Sequence, residues 1–68
     1  MDVIVNGRPC ALAVGATVRA AVVAAGADGD ERGVAVAVDG AVVPRRAWDE
    51  TPLESGSRVE VLRATAGG

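Results

Sequence analysis

An α+β fold, with a mixed sheet of about five strands packed on one helix, is the structure that this 68-residue sequence predicts. Short runs of β-branched residues alternate with Gly-containing turns along most of the chain. One apolar stripe of helical period lies between residues 17 and 26, and two pairs, Asn-Gly and Asp-Gly, indicate tight hairpins. The predicted order is β-β-α-β-β-β, in one domain of residues 1–63 that is followed by a flexible tail of residues 64–68.

The first hairpin is predicted from the N-terminal residues. Residues 2–6 form a strand in which Val3 and Val5 share one face at period two. Asn6-Gly7 is the turn, because both residue types tolerate the positive φ angles of a type I′ turn. The second strand runs from about residue 8 to residue 13. It is expected at a sheet edge, since Pro9 has no N–H to donate.

The helix is predicted to begin after Gly15-Ala16, with Thr17 as the N-cap. Its core-facing stripe has the spacing i, i+3, i+4 and i+7 and consists of Val18, Ala21, Val22 and Ala25. Gly26 follows at the position of a left-handed C-cap residue. A helix of this length is not stable alone, so it must pack on the sheet.

The second hairpin lies in the middle of the chain, after an exposed loop over residues 28–33. Residues 34–38 alternate Val and Ala, which places the valines on one face and Ala35 and Ala37 on the other. Asp39-Gly40 provides the turn, and a short return strand over residues 41–43 ends at Pro44.

The C-terminal third consists of a wrapped loop and one more strand. Residues 45–57 are predicted as loop, with one helical turn near Ala47-Trp48. Residues 58–63 form the last strand, with Val59 and Val61 facing inward. Two hairpins separated by a helix and closed by a final strand correspond to the β-grasp arrangement. The first and last strands are then expected to be parallel neighbours at the centre of the sheet.

Composition argues against several classes of function. The net charge is −2, all cationic side chains are Arg, and His is absent. These properties disfavour nucleic-acid binding, which needs a basic face, and acid–base catalysis near neutral pH, where His is the usual agent. The single cysteine, Cys10, permits no intrachain disulfide and no cysteine-cluster metal site, and we expect it to be a small strand residue. No catalytic residues, metal site or bound cofactor are therefore predicted.

Targeting signals are also absent from the sequence pattern. The N-terminal residues begin a strand pattern at once, unlike a signal peptide. The longest apolar run, Ala20 to Ala25, is too short to span a bilayer. We expect no membrane association and a cytoplasmic location.

The strongest candidate for chemistry is Gly67-Gly68, with which the sequence closes. A backbone without Cβ atoms can enter a narrow channel of a partner enzyme, led there by Ala64, Thr65 and Ala66 in extended form. A terminal α-carboxyl has a pKa of about 3.3–3.7 and is ionised at neutral pH. The Gly68 carboxylate could therefore attack the α-phosphate of ATP, and a sulfur nucleophile could open the resulting acyl-adenylate to give a thiocarboxylate.

The sequence resembles the sulfur carriers of thiamine biosynthesis, the ThiS family. Matching pieces run in order along nearly the whole chain: Val5-Asn6-Gly7, Gly15-Ala16-Thr17-Val18, Val34-Ala35-Val36-Ala37-Val38, Val42-Val43-Pro44-Arg45, Trp48, Thr51-Pro52-Leu53, Gly56, Arg58-Val59-Glu60-Val61 and Gly67-Gly68. The resemblance implies a β-grasp co-substrate with no turnover of its own. A ubiquitin-activating-type enzyme would adenylate Gly68 with ATP and Mg²⁺, a cysteine desulfurase or other donor would supply sulfur, and thiazole synthase would receive it.

Several alternatives stay open at this point. The same tail suits a carrier for another pathway, such as molybdopterin or a thio-containing natural product, a ubiquitin-like protein modifier, or an interaction module whose tail is incidental. Trp48 could contact a partner or cover the small core, and we favour the core. Arg45 and Arg46 could steer an acidic partner or an ATP site, or be solvated surface charges, and we favour the surface charges. The candidate partner surface consists of Leu62, Arg63, Ala35 and Ala37.

Overall fold

The computed structural model describes residues 1–29 and 31–64 and has the predicted order of elements. Its strands are β1 (Asp2–Val5), β2 (Arg8–Ala11), β3 (Val34–Val38), β4 (Ala41–Val43) and β5 (Arg58–Arg63), its helix is α1 (Val18–Ala24), and a 3₁₀ turn covers Arg45–Ala47. The sheet order is β2-β1-β5-β3-β4, and only the β1–β5 pair is parallel among the described strands. The predicted β-grasp arrangement, with the first and last strands adjacent, is confirmed. No helix among the described residues has the length and apolar character needed to cross a bilayer.

Both hairpins have the predicted turns. Asn6 and Gly7 have φ values of 51° and 80°, and Asp39 and Gly40 have 49° and 86°. Positive φ at both central residues is the property of a type I′ turn, whose twist matches the flanking strands. β2 lies at the sheet edge, as Pro9 predicts, although β1 and β2 end slightly earlier than residues 6 and 13.

The end of α1 corrects one predicted core residue. Val18, Ala21 and Val22 are buried as expected, but Ala25 is exposed and Ala27 takes the buried position. Gly26 has a φ of 75° and reverses the chain, so that the Ala27 N–H donates to the Val22 carbonyl and the Gly26 N–H to the Val23 carbonyl. This pair of bonds is a Schellman motif, which turns the residue after the glycine back onto the helix.

The start of α1 is satisfied by backbone rather than by a side chain. Thr17 occupies the N-cap position with extended φ and ψ, but its hydroxyl makes no capping hydrogen bond. The N–H groups of Val18 and Arg19 instead donate to the carbonyls of Thr51 and Trp48, at 2.9 and 3.2 Å. The loop after the 3₁₀ turn thus supplies acceptors that a capping hydroxyl usually provides.

The core lies between α1 and one face of the sheet, and Trp48 closes it from the loop side. Trp48 is 0% exposed, and its indole N–H donates to the Val43 carbonyl at 3.0 Å. The prediction that this residue covers the core is therefore confirmed. The other buried apolar residues are Val3, Val5, Val18, Ala21, Val22, Ala27, Val36, Leu53, Val59 and Val61.

Candidate functional site

The candidate site begins where the central strand β5 ends. β5 pairs with the parallel β1 at Arg58 and Val59 on one side and with the antiparallel β3 from Val59 to Arg63 on the other. Its register with β3 ends at the pair Val34–Arg63, and the Ala64 N–H donates to the Gly33 carbonyl at 2.8 Å beyond that pair. Ala64, which the sequence predicts as an unanchored tail residue, is thus held by the body. Thr65, Ala66, Gly67 and Gly68 lie outside the described residues.

Two turn side chains fix β5 in place. The Asn6 side chain accepts from the Val61 N–H at 2.8 Å and donates to the Val61 carbonyl at 3.2 Å. It thereby continues the pairing to β5 at the point where β1 has turned away. Across the sheet, the Asp39 carboxylate accepts from the Arg58 N–H at 2.9 Å. These three bonds hold the strand from which the tail continues, and sequence reasoning assigned Asn6 and Asp39 only to their turns.

The sheet face opposite α1 carries an apolar patch. Leu62 is 64% exposed and is the direct cross-strand partner of Ala35, and Val42, 77% exposed, is the partner of Ala37. Ile4 lies on the same face by strand alternation and lines, with Leu62, a shallow depression of about 350 Å³. We call Ile4, Ala35, Ala37, Val42 and Leu62 the open-face patch. The sequence indicated Leu62 and the two alanines but not Val42 or Ile4, although the alternation of β4 around Val43 carries the signal for Val42.

Arg63 does not join this patch. Successive residues of a strand point to opposite faces, and Arg63 follows Leu62, so its side chain lies on the helix side. There its guanidinium donates to the Gly26 carbonyl at 3.3 Å. The predicted partner surface therefore separates into Leu62, Ala35 and Ala37 on one face and Arg63 on the other.

Charged groups border the open-face patch. Arg58 and Glu60 alternate with Leu62 on the same side of β5 and line the depression with it. An apolar centre with a polar rim is typical of a surface that binds another protein. Among residues 1–29 and 31–64, no group of three or more His, Cys, Asp or Glu side chains is placed to hold a metal ion.

A second charged cluster links α1 to two loops. The Arg19 guanidinium donates to Asp49 at 3.0 Å, pairs with Glu31, and lies 5.3 Å from the centroid of the Trp48 ring. The hydrogen bond to Asp49 is the main cause that raises the pKa of Arg19. No sequence pattern indicated this cluster, because its members lie in three separate segments.

Three other residues considered in the sequence, Cys10, Arg45 and Arg46, lie away from the open-face patch. Cys10 is half-buried and pairs across the strands with Val3. Arg45 and Arg46 are exposed residues of the 3₁₀ turn, which ends at Ala47 with Trp48 as its C-cap and overlaps the predicted helical turn. None of the three contributes to the open-face patch.

A family model and two solved structures indicate the same family for this chain. The model of the ThiS family matches residues 3–68. The crystal structure of the thiamine biosynthesis protein (ThiS) from Geobacter metallireducens is 33% identical, with 100% of both chains covered and a TM-score of 0.77. An NMR solution structure of a thiamine biosynthesis protein from the same organism is 31% identical, covering 100% of this chain and 88% of that one, with a TM-score of 0.74. No curated protein sequence matches the chain.

Proposed function

Because this chain belongs to the ThiS family, we propose that it is a sulfur carrier whose Gly68 carboxylate becomes a thiocarboxylate and donates sulfur to thiazole formation in thiamine biosynthesis. The observation that carries the proposal is the family match, which runs through Gly67 and Gly68. The similarity to solved structures of thiamine biosynthesis proteins, over the whole of this chain, supports the same pathway.

The proposed chemistry takes place in partner active sites. In a ubiquitin-activating-type enzyme that uses ATP and Mg²⁺, an oxygen of the Gly68 carboxylate attacks the α-phosphorus of ATP and pyrophosphate leaves. The terminal sulfur of a cysteine-desulfurase persulfide then attacks the acyl carbon and AMP leaves, and a thiol reductant cleaves the S–S bond of the resulting acyl disulfide to leave the thiocarboxylate. Hydrosulfide from another donor would displace AMP and give the thiocarboxylate in one step. Thiazole synthase receives the sulfur from the thiocarboxylate. This chain contributes the carboxylate and a body that partners recognise, and acts as a co-substrate.

The open-face patch is the proposed recognition surface. Leu62 lies two residues before Ala64, so a partner seated on the patch is next to the start of the tail. Exposed apolar area that a partner covers contributes favourable free energy, at roughly 25 cal/mol per Å² before the costs of association. Arg58 and Glu60 border the patch and can set the orientation of the partner.

Intact-mass measurement tests the function directly. The chain is incubated with its activating enzyme, ATP, Mg²⁺ and a sulfur donor, and the expected product has one oxygen replaced by sulfur, localised to Gly68 by fragmentation. An incubation without ATP is the control, because adenylation must precede sulfur transfer. An unchanged mass with an enzyme that is competent on another carrier would contradict the proposal, and Gly68 recovered in isopeptide linkage to other proteins would instead identify a protein modifier.

A further inference from the structure

The first residue after β5 is in close contact with the start of β3. The Ala64 N–H donates to the Gly33 carbonyl at 2.8 Å, one residue beyond the last pair of the β3–β5 ladder. Gly33 has a φ of 74°, and a Cβ built on it would lie 3.3 Å from the Cβ of Ala64. Glycine is therefore favoured at position 33 by its backbone conformation, and a side chain there would crowd Ala64.

A second contact holds the preceding residue. The Arg63 guanidinium donates to the Gly26 carbonyl at 3.3 Å, on the helix side of the sheet. The two contacts tie consecutive residues to two different elements, the end of α1 and the start of β3. We call Gly26, Gly33, Arg63 and Ala64 the tail-base anchor.

Both acceptors of the tail-base anchor are themselves fixed. Gly26 is the left-handed residue of the Schellman motif and is hydrogen-bonded to Val23. Gly33 lies in a turn closed by the bond from the Val34 N–H to the Glu31 carbonyl, and the Glu31 side chain pairs with Arg19 on α1. The anchor therefore connects the base of the tail to residues that are themselves bonded to the helix and to the turn before β3.

From this geometry we infer that the tail-base anchor is a positioning device, which fixes the point and direction at which the tail leaves the body. The inference rests on the proposed function, in which Gly68 must reach a partner's active site while the body is docked. From Ala64, four residues can extend over about 14 Å at most, at 3.3–3.6 Å per residue. A fixed base means that this reach is measured from a point whose position relative to the open-face patch is constant.

The expected consequence is lower affinity when the anchor is loosened. A base that is already ordered loses little conformational entropy when the tail enters the partner, whereas a loose base must be ordered on binding. If loosening the anchor costs the net free energy of about one hydrogen bond on binding, the KM for the chain in adenylation rises about five-fold. The kcat should be unchanged, because the reacting carboxylate and the enzyme groups around it are the same.

The experiment compares two glycines of the same loop. Gly33→Ala crowds Ala64, whereas Gly29→Ala meets nothing within 4 Å and controls for an added methyl group in this loop. Gly15→Ala, at a φ of 88° with nothing within 4 Å, controls for the strain of Ala in a left-handed conformation, and we expect it to change neither exchange at Ala64 nor KM. Gly33→Asn places the same Cβ with less backbone strain, since Asn tolerates positive φ, and covers the case in which Gly33→Ala folds poorly. The double variant Gly33→Ala with Ala64→Gly, measured beside Ala64→Gly alone, removes the Cβ contact and completes a double-mutant cycle. Each variant is measured for hydrogen exchange of the amide at position 64 and for KM and kcat of ATP-dependent pyrophosphate release.

We expect Gly33→Ala and Gly33→Asn to speed exchange at Ala64 several-fold and to raise KM about five-fold. Gly29→Ala should change neither quantity. The double variant should recover part of the affinity and of the protection that Gly33→Ala loses. Rapid exchange at Ala64 in the unmodified chain, or faster exchange in the Gly33 variants with unchanged KM, would overturn the inference. Failure of the proposed function has a different signature, because the unmodified chain would then release no pyrophosphate while Ala64 remained protected.

Discussion

Asn6 and Asp39 offer a controlled measurement of how a turn side chain stabilises the central strand. They occupy equivalent positions in two type I′ turns, have nearly equal φ values of 51° and 49°, and each precedes a glycine. Replacement of either by Gly keeps the positive φ accessible and adds the same backbone entropy to the unfolded chain. The two substitutions therefore differ mainly in the hydrogen bonds that they remove from β5.

The structure sets the expected magnitudes. Asn6→Gly removes two bonds to the backbone of Val61, which is buried, whereas Asp39→Gly removes one side-chain bond at the exposed residue Arg58. At about 0.5–1.5 kcal/mol for each bond, the first substitution should cost about 1–3 kcal/mol from its bonds and the second about 0.5–1.5 kcal/mol. We expect Asn6→Gly to be the more destabilising by about 1 kcal/mol.

Urea unfolding followed by Trp48 fluorescence is the suitable assay, because Trp48 is the single Trp and is fully buried. The variant Asn6→Asp adds a check, since Asp tolerates positive φ and still accepts from the Val61 N–H but cannot donate to the Val61 carbonyl. Its stability should lie below that of the unmodified chain. Equal free energies of unfolding for Asn6→Gly and Asp39→Gly, or a larger loss for Asp39→Gly, would refute the view that Asn6 acts as a continuation of β1.

Four further outcomes are expected. Leu62→Asp should raise the KM for adenylation about ten-fold or more, since a charge would be buried in the proposed interface. Val14→Asp, at a residue that is 89% exposed and lies outside the open-face patch, should leave the KM unchanged. Equal effects of the two substitutions would show that the patch is not the recognition surface. Gly68→Ala should impair adenylation and leave the urea midpoint unchanged, and normal pyrophosphate release would contradict the need for a residue without Cβ. Trp48→Ala should cost about 3–5 kcal/mol, as for other large core truncations, and a loss below about 1 kcal/mol in calorimetry would show that the indole is not a core element. Arg19→Gln should lower the melting temperature at low salt and less so in 1 M NaCl, because salt screens its pairs with Asp49 and Glu31; a difference independent of salt would assign the effect to packing on Trp48.

The elements that the sequence predicts well are those set by neighbouring residues. Period-two valines, the Asn6-Gly7 and Asp39-Gly40 turns and Pro9 depend on local backbone preferences, and each is found as predicted. Once two hairpins and a helix are placed, few arrangements bury the inward-facing valines of β1, β3 and β5 together. The parallel pairing of β1 and β5 follows from that limit.

The elements that the sequence predicts poorly depend on contacts between distant segments. The helix start needs no capping hydroxyl from Thr17, because carbonyls about thirty positions away accept from its first N–H groups. Ala25 has the correct helical spacing, but the reversal at Gly26 brings Ala27 into the core instead. The separation of Arg63 from the open-face patch was already contained in strand alternation.

The candidate site divides in the same way. Leu62 and its neighbours Ala35 and Ala37 could be predicted, since their place on the side of the sheet away from α1 follows from the alternation of β3 and β5. The contact of Ala64 with Gly33 could not, because nothing in the composition of the 28–33 loop indicates that its last residue lies beside the end of β5. Gly67 and Gly68 remain predictions from the sequence and the family.

The central place of β5 has a consequence for synthesis of the chain on the ribosome. The strand that is made last lies between β1 and β3, so the two hairpins have no complete sheet to join until residues 58–63 have emerged. Pairing across such a long stretch of sequence is a late event in folding. A nascent chain that is interrupted before this strand cannot form the body that a partner would recognise, which couples recognition to the presence of the strand that carries the tail.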